Sequence, residues 1–502
     1  MPRGTKAPSR RFQVVFLVIA AILSIIILRN VFSTFSFHRK YNIMLIVCDS
    51  LRKDALSCYG GDTPTPNIDK LAAMGAIFHN VYSLSNHTIP SVIGLLTSIP
   101  PSQFKMDLAY KTSDDIPLLS RRLQAIKYDT RAFLGHWALK DESLGLAKGF
   151  NAIISLNHKW YLVEYNKILI QLTELKNILP APHLLNALNP VINKIVRIPP
   201  DTSAAIVGQI AGYLNTIRHK HFYFWVHLMD PHDPYAPPQR YIKTDVDNKF
   251  GPLIDFDGMF SSPDSIQDLY KKIRTHQINI SAKEKSYIKN MYIGEVQYVD
   301  ECIGILLKSL EKNKLIDNTI IILTADHGEE FWDHGGFSHG QSFADVLINV
   351  PLIIYHPKYK NIGRIDFPMS QIDLMPTLFE WLNLKPDSGH FGRSIAGLFV
   401  GKKIMANPLF SEEGARNPNT ISLIYQGKYK CLYHYDTNTF DFIIKDTYRD
   451  YDSPSDKIIQ EMRTLCAEYV LRNKEMNKRR IKYNKAYLDK YIDTLRSLGY
   501  LK

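Results

Sequence analysis

Three short apolar runs along the chain are each followed directly by an acidic residue or a histidine. The runs are Asn42–Cys48, Phe222–Val226 and Asn318–Ala325. Continuous runs of this length, rich in β-branched and aromatic residues, predict buried strands of a parallel sheet. Because open α/β sheets carry their chemistry at the carboxyl ends of the strands, we expect the polar residues that follow these runs to meet at one edge of the sheet.

Helical periodicity lies between and after these strands. Apolar residues recur at helical spacing over 284–311, just before the strand that ends at Ala325, and a further helix is predicted over Asp373–Leu382. Another strand is predicted at Pro351–His356. This βαβ order predicts an α/β fold, a three-layer sandwich around a mostly parallel central sheet, within a domain of residues 41–400.

The chain after residue 400 has shorter, more polar and tyrosine-rich segments. Ile421–Tyr425 and Lys428–Tyr433 alternate as strands of an antiparallel sheet do. We therefore predict a small C-terminal α+β subdomain over residues 401–502. Residues 158–200 are aliphatic, basic and interrupted by prolines; they predict a packed helical insertion, with a lid or a membrane-facing surface as the alternative.

The N-terminal segment is the most apolar part of the chain. Four basic residues within residues 1–11 precede the run Phe12–Phe32, which is long enough to span a bilayer. A cleaved signal peptide is the alternative, but no A-x-A cleavage site follows the run. The charge bias favours a cytoplasmic N-terminus. Residues 1–40 are thus predicted to be a cytoplasmic tail, a single-pass anchor at residues 12–32 and a linker, with the rest of the chain on the exported, periplasmic or extracellular side.

Composition narrows the range of partners. The 502 residues are 45% hydrophobic and 22% charged, with a net charge of +12, which permits a large folded core. The positive charge is spread along the chain without a nucleic-acid-binding motif, so nucleic acid is not expected as a partner. An anionic membrane surface or an anionic substrate accounts better for the positive charge. The five cysteines lack CxxC spacing, so neither a zinc ribbon nor a disulfide framework is predicted.

The residues after the predicted strands have the chemistry of a metal site. Asp326 and His327 provide a carboxylate and an imidazole at one strand end, and Asp49 provides a second carboxylate at another. Thr88 stands at the start of a predicted helix that contains Pro90. From the residues alone, Thr88 is either a helix cap or a nucleophile activated near the metal. His232, on a proline-bounded loop, is a candidate for binding an anion or a second metal.

These residues, in this order, resemble the sulfatase family of the alkaline phosphatase superfamily from about Asn42 to Lys502. The matching segments are Asn42–Arg52, Cys58–Gly60, Thr65–Leu71, His227–Tyr235, Thr324–Glu330, Val350–Ile354, Asp373–Thr377, Gly392–Ser394 and Leu495–Tyr500. The family's sulfatases oxidise the first residue of a C/S-x-P-S-R motif to formylglycine. The corresponding stretch here begins with Thr88 and ends with Val92, and threonine cannot become formylglycine. The resemblance therefore implies a threonine nucleophile, as in phosphoethanolamine and phosphoglycerol transferases.

The resemblance also implies roles for the other residues. Asp49, Thr88, Asp326 and His327 would surround one divalent metal, most simply zinc, with manganese or calcium as alternatives. His232 and His339 would contact the substrate or a second metal. The expected function is a membrane-anchored, metal-dependent hydrolase or transferase of phosphate or sulfate esters, on a lipid or a glycan. The alternative is a non-catalytic, membrane-tethered binding protein that retains the fold.

Overall fold

The computed structural model describes residues 40–106, 109–110, 118–140, 144–156, 202–217, 220–233, 235, 237–242, 272–273, 277, 279–385, 391–412 and 419–480. The strands within them are β1 Asn42–Cys48, β2 Ala76–Phe78, β3 Val81–Tyr82, β4 Lys105–Met106, β5 Ala109–Tyr110, β6 Asp129–Leu134, β7 Ala152–Ser155, β8 Phe222–Leu228, β9 Thr319–Ala325, β10 Glu330–Phe331, β11 Phe337–Ser338, β12 Leu352–Tyr355, β13 Gly363–Ile365, β14 Met369–Ser370, β15 Leu409–Glu412, β16 Thr420–Tyr425, β17 Tyr429–His434 and β18 Thr439–Ile443. The α-helices within them are α1 Pro66–Met74, α2 Thr88–Thr97, α3 Leu119–Ala125, α4 Thr202–Leu214, α5 Ala282–Lys312, α6 Asp345–Ile348, α7 Leu374–Trp381 and α8 Asp456–Arg480.

Eight strands form the central sheet, in the order β13-β2-β12-β9-β1-β8-β6-β7. Strand β1 runs parallel to both neighbours, and Cys48 at its end is in register with Ala325 of β9 and Leu228 of β8. Strand β12 is antiparallel to β9 and to β2, whereas the other pairs in this sheet are parallel. The predicted α/β fold with a mostly parallel central sheet is confirmed. The arrangement of the helices in two covering layers stays a prediction.

The central strands are apolar because they are buried along their whole length. Every residue of β1 and of β9 is buried, as expected for inner strands of a parallel sheet. Strand β1 matches its predicted bounds, and β9 begins one residue later than predicted. Strand β8 continues through Leu228, two residues beyond the predicted end at Val226. The apolar pattern missed this extension because His227 is a polar residue inside a buried strand.

The long helix α5 begins where a capping box predicts a helix start. The hydroxyl of Ser281 accepts a hydrogen bond from the backbone N–H of Glu284, whose carboxylate accepts one from the N–H of Ser281. The helix packs against α1 and α4, and its Asp300 accepts hydrogen bonds from the first backbone N–H groups of α1, at Asn67 and Ile68. The helix predicted over 284–311 is therefore confirmed.

Four antiparallel strands, β15 to β18, form the second large sheet. Helix α8 packs on it, and their shared apolar cluster includes Ile421, Leu423, Cys431, Met462 and Cys466. The buried ammonium group of Lys430 on β17 lies 2.8 Å from an oxygen of Asp345 and 2.6 Å from one of Asp446. The predicted antiparallel sheet is confirmed, whereas a domain boundary at residue 401 stays a prediction.

Two predicted segments lie outside the described residues: the anchor at residues 12–32 and the whole insertion at residues 158–200. In the described ranges, none of the helices combines the length and the apolar character that a membrane span requires. None of the five cysteines, all of which lie in the described ranges, forms a disulfide bond.

Candidate active site

Asp49 and Asp326 come together because the strands before them are in register. Cys48 at the end of β1 pairs with Ala325 at the end of β9, so the next residue on each strand is an aspartate. His327 follows Asp326, and all three side chains are fully buried. Each of the three offers one ligand atom, and these atoms lie within 4.8 Å of one another. The sheet thus brings together three of the four predicted metal ligands.

Hydrogen bonds from the strand-end loops fix the orientation of these groups. Oδ1 of Asp326 accepts hydrogen bonds from the backbone N–H groups of Ser50, at 3.3 Å, and His327, at 2.8 Å. Ser50 adopts a φ of 57°, in the left-handed region that is uncommon for non-glycine residues. Nδ1 of His327 lies 2.8 Å from the carbonyl oxygen of Gly328 and donates to it. Its Nε2 is therefore the nitrogen with a lone pair, as a metal ligand requires.

The fourth predicted ligand, Thr88, is the first residue of α2. Its hydroxyl oxygen lies 3.4 Å from Oδ2 of Asp49 and 3.3 Å from Nε2 of His327. The residue that precedes the helix is His87, which makes no capping hydrogen bond with its side chain. The interpretation of Thr88 as a cap is therefore wrong, because its hydroxyl contacts the metal-ligand candidates.

His232 and His339 lie beside this group on two loops, each paired with a carboxylate. Nδ1 of His232 is 2.7 Å from Oδ1 of Asp233, and Nδ1 of His339 is 3.1 Å from Oε1 of Glu329. The centres of the His232 and His339 rings are 4.9 Å apart, and the His339 ring is 4.4 Å from that of His327. The two predicted substrate-contacting histidines are thus adjacent to the cluster of Asp49, Thr88, Asp326 and His327.

Electrostatics in this pocket favour a bound cation. Burial and the neighbouring carboxylate of Asp326 raise the pKa of Asp49. Burial acts in the same direction on Asp326, but His327 and His227 outweigh it and lower the pKa of Asp326. Burial lowers the pKa of His327 despite the adjacent carboxylates, which keeps its ring neutral. Two adjacent buried carboxylates and a neutral imidazole are stabilised together by a positive ion.

A buried carboxylate oxygen of Asp326 gives a further reason to expect a divalent metal at this site. Oδ2 of Asp326 is buried, and it has no hydrogen-bond partner among the described residues. An uncompensated buried carboxylate oxygen is costly, and the hydroxyl of Thr88, the imidazole of His327 and the carboxylate of Asp49 lie around the same space. Carboxylate, imidazole and hydroxyl donors fit zinc or manganese. The residues present therefore fit the metal that the sequence predicts.

Two contributors to the site were missed by the sequence reasoning. The buried guanidinium of Arg52 contacts Asp54 and Asp333 and donates to the backbone carbonyl oxygen of Glu329, at 2.9 Å. It thus joins the loop after β1 to the loop after β9. Glu329 orients His339, and burial followed by the carboxylate of Asp233 raises the pKa of Glu329 to about 8. Arg52 lies inside a segment that matched the family, but only the folded loops show its partners.

Comparison with known sequences decides the family. The sequence model of the family described as Sulfatase matches residues 41–384. The chain belongs to the sulfatase family. The chain is 25% identical to the N-acetylglucosamine-6-O-sulfatase of Bacteroides thetaiotaomicron (strain ATCC 29148) over 515 aligned positions, which cover 90% of this chain and 87% of that protein. It is a sulfatase-like hydrolase of the alkaline phosphatase superfamily.

Solved structures of other proteins share this sulfatase's fold. The phosphonate monoester hydrolase of Agrobacterium radiobacter superposes with a TM-score of 0.63 at 18% identity, covering 87% of this chain and 96% of its own. A structure described as that of BT1596, a 2-O GAG sulfatase, superposes with a TM-score of 0.62 at 18% identity, covering 89% and 95%. These relatives are sulfatases and a hydrolase, so they give no support to the predicted transferase chemistry.

Proposed function

We propose that this sulfatase-family protein hydrolyses sulfate or phosphate esters by a double displacement in which Thr88 is the nucleophile. The observation that carries the proposal is the position of the Thr88 hydroxyl, 3.4 Å from Oδ2 of Asp49 and 3.3 Å from Nε2 of His327. A hydroxyl needs a nearby base or a metal to become a nucleophile. Here it lies within a buried set of metal-ligand candidates.

In the first displacement, the Thr88 oxygen attacks sulfur or phosphorus and the bond to the leaving alcohol breaks. The hydroxyl proton moves toward Oδ2 of Asp49, the oxygen to which it donates. His339 donates a proton to the leaving oxygen while its Nδ1–H remains bonded to Glu329. His232, held by Asp233, contacts the non-bridging oxygens of the ester group. The step leaves a sulfated or phosphorylated threonine and a free alcohol.

In the second displacement, water attacks the same sulfur or phosphorus atom from the side of the departed alcohol. The now neutral His339 takes a proton from this water, and the bond to the Thr88 oxygen breaks. The threonine oxygen recovers the proton held at Asp49. Sulfate or phosphate leaves, and every residue returns to its starting protonation state. Transfer to an acceptor alcohol would follow the same path, with the alcohol in place of water.

Asp49, Asp326 and His327, together with the Thr88 oxygen, would hold one divalent cation. When bound, it supplies Lewis-acid polarisation of the hydroxyl and of an ester oxygen. The imidazole favours zinc over manganese and both over calcium, which prefers an all-oxygen set. A second metal would take His232 and His339 as ligands through Nε2, since Nδ1 of each faces Asp233 or Glu329. The proposed mechanism uses these rings for the ester instead, so we propose one metal.

Sulfated saccharides are the proposed substrates. The support is the similarity over 90% of this chain to an N-acetylglucosamine-6-O-sulfatase. The fold shared with a phosphonate monoester hydrolase makes phosphorus esters the second class to test. Purified protein assayed on N-acetylglucosamine 6-sulfate, a phosphate monoester and a phosphodiester, each with zinc, manganese or calcium, would decide the ester and the metal. Absence of turnover on all of them, with saccharide binding retained, would favour the non-catalytic binding protein.

The nucleophile can be tested by trapping the covalent intermediate. Thr88→Ala should reduce turnover by at least about four orders of magnitude, because the first displacement loses its attacking atom. After rapid acid quenching, mass spectrometry should find a sulfo or phospho group on the peptide that contains Thr88. Thr97→Val at the far end of α2 is the control, since the hydrogen bonds of the Thr97 hydroxyl are with the backbone of Ile93 and Ile99 and not with the site. Normal turnover by Thr88→Ala would exclude this mechanism.

We also propose that residues 12–32 anchor the protein in a membrane, with the catalytic domain exported. The support is the apolar run from Phe12 to Phe32 behind a basic N-terminus. The full-length chain should resist alkaline extraction from membranes, whereas a chain beginning at residue 40 should be released. Protease added outside sealed cells should reach the catalytic domain. Release of the full-length chain by alkali would contradict the anchor.

A further inference from the structure

His227 is a strand residue near the site whose polar atoms the catalytic scheme above leaves unexplained. It lies near the end of β8, where it is in register with Val47 of β1. Val47 is also in register with Thr324 of β9. Side chains two residues apart on a strand share a face of the sheet. His227 therefore lies on the face from which Asp49 and Asp326 project.

The His227 ring is fully buried beside the two aspartates. Its Nε2 is 3.9 Å from Oδ2 of Asp49 and 3.8 Å from Oδ2 of Asp326, both beyond hydrogen-bonding distance. Neither ring nitrogen has a hydrogen-bond partner in the part of the chain that the structure describes, and the same holds for Oδ2 of Asp326. Buried polar atoms are nearly always satisfied, so unpaired atoms on two facing side chains indicate a shared partner between them.

The spacing of these atoms fits a first-row metal ion as that partner. With metal–ligand bonds of about 2.0–2.2 Å, two ligands of one ion lie roughly 3–4 Å apart. The contacts of His227 fall in that interval, as do the 3.6 Å from Nε2 of His327 to Oδ1 of Asp49 and the 3.8 Å from Nε2 of His327 to Oδ2 of Asp326. Both imidazoles thus lie within this distance of the same two carboxylates, although they face different oxygens of Asp49 and His227 lies outside the set whose ligand atoms are all within 4.8 Å of one another.

We infer that Nε2 of His227 is a direct ligand of the metal held by Asp49, Asp326 and His327. This inference rests on the metal site of the proposed function and extends it. With His227, the donor set has two imidazole nitrogens, two carboxylates and the Thr88 hydroxyl. Two nitrogen ligands select a transition metal such as zinc and disfavour calcium, which takes six to eight oxygens. His227 is therefore also a residue that determines metal specificity.

Metal binding by the full-length protein tests the inference without any assay of turnover. The dissociation constant for zinc is measured by competition with a chromophoric chelator, for wild type and for His227→Gln. We expect the affinity for zinc to fall by at least about 100-fold, the upper end of the loss caused by removing an outer-shell partner. The affinity for calcium should change far less, because calcium gains little from an imidazole. X-ray absorption at the zinc edge should count two imidazoles in wild type and one in His227→Gln.

His356→Gln is the matched control. His356 is a buried histidine that follows β12, and one of its ring nitrogens also lacks a partner among the described residues. Because β12 is antiparallel to β9 and Tyr355 pairs with Ile321, His356 lies toward the opposite edge of the sheet. His356→Gln should keep both zinc affinity and two imidazoles. This control separates loss of a ligand from loss of a buried ring.

The results distinguish this inference from the proposed function. Unchanged zinc affinity and an unchanged imidazole count in His227→Gln would overturn the inference, even if Thr88→Ala abolishes turnover. A wild-type protein that binds neither zinc nor manganese would also overturn it. Loss of one imidazole in His227→Gln would support it, even if the wild type proves inactive on every ester tested.

Discussion

Asp49, Asp326 and His327 are placed by the central sheet, whereas His232 and His339 are placed by loops. The first three, the metal side of the site, follow directly on parallel strands whose ends are in register. In the other two, the histidine side, Nδ1 of His232 faces the backbone carbonyl oxygen and the carboxylate of Asp233, and Nδ1 of His339 faces the carboxylate of Glu329. The two sides meet at the His327 and His339 rings, 4.4 Å apart.

This difference matches two kinds of chemical work. A metal site must hold several buried charges at fixed separations, which buried strand ends do well. Histidines that exchange protons with a substrate must reach it and change protonation state, and loops provide that access. We therefore expect substitutions on the metal side to damage binding of the metal and turnover of every ester together. Substitutions on the histidine side should act selectively.

The largest effect that tests this comparison is expected for Asp326→Asn. The amide keeps the shape of the side chain but removes a buried negative charge next to Asp49 and His327. Lewis-acid stabilisation is worth several kcal/mol, so kcat/KM should fall by about a thousandfold or more. The loss should be similar for esters with good and with poor leaving groups, and zinc content measured after dialysis should fall.

Asp373→Asn is the control for this substitution. Asp373 is also a buried aspartate, and its carboxylate accepts from the backbone N–H groups of Ser370 and Arg393 instead of facing the site. Asp373→Asn should therefore retain the zinc content and the kcat/KM of wild type. Full zinc content in Asp326→Asn would mean that the metal side is not a metal site.

The metal side could be predicted from the sequence because its geometry follows from strand pattern. The apolar run before Asp49 matched β1 residue for residue, and the run before Asp326 differed from β9 by one residue. Parallel pairing then brings the two strand ends together whatever the loops do. Thr88 was also predicted as a helix start, but its contact with Asp49 depends on where α2 sits on the sheet, which only the structure shows.

The remaining parts of the site could not be predicted because they depend on contacts between distant loops or break the local pattern. Glu329 and His339 pair across a turn, and Arg52 forms an ion pair with Asp333, which lies on another loop. Nothing in the spacing of these residues specifies those contacts. The predicted strand ended at Val226 because a polar residue after an apolar run marks the expected end of a buried strand, yet β8 continues through His227 to Leu228.

A selective effect is expected for His339→Gln. Loss of a general acid typically costs 10²–10⁴-fold, and only when the leaving alcohol needs a proton. Turnover of an alkyl or saccharide ester should fall by about 100-fold or more, whereas a nitrophenyl ester should lose much less. Comparing kcat for the two esters in wild type and variant measures this ratio.

His334→Gln is the control on the same loop. His334 is partly exposed, and its Nε2 lies 3.2 Å from the Thr447 hydroxyl. Its kcat should stay close to that of wild type for both esters. An equal loss for both esters in His339→Gln would show that His339 acts in some way other than protonating the leaving group.

The smallest expected effect is on stability and concerns the carboxylate that supports His339. The folded protein raises the pKa of Glu329 to about 8, so the folded state keeps this proton while the unfolded state releases it near its usual pKa. The stability that the proton contributes is complete below the unfolded pKa and is lost as the pH rises through about 8. Glu329→Gln cannot ionise. In metal-free protein, its melting temperature relative to wild type should therefore rise between pH 6.5 and 8, by an amount equivalent to at most about 2 kcal/mol.

Asp373→Asn separates this contribution from that of other buried acids. Burial raises the pKa of Asp373 only to about 6. The stability that its proton contributes is therefore lost mostly below pH 6.5, where the comparison for Glu329 begins. Thermal unfolding followed by circular dichroism, with chelator present, should give wild type and Asp373→Asn nearly parallel pH profiles from 6.5 to 8. The profile of Glu329→Gln should be flatter. Three parallel profiles would mean that Glu329 is already ionised at neutral pH, and its support of His339 would then not change with pH in this interval.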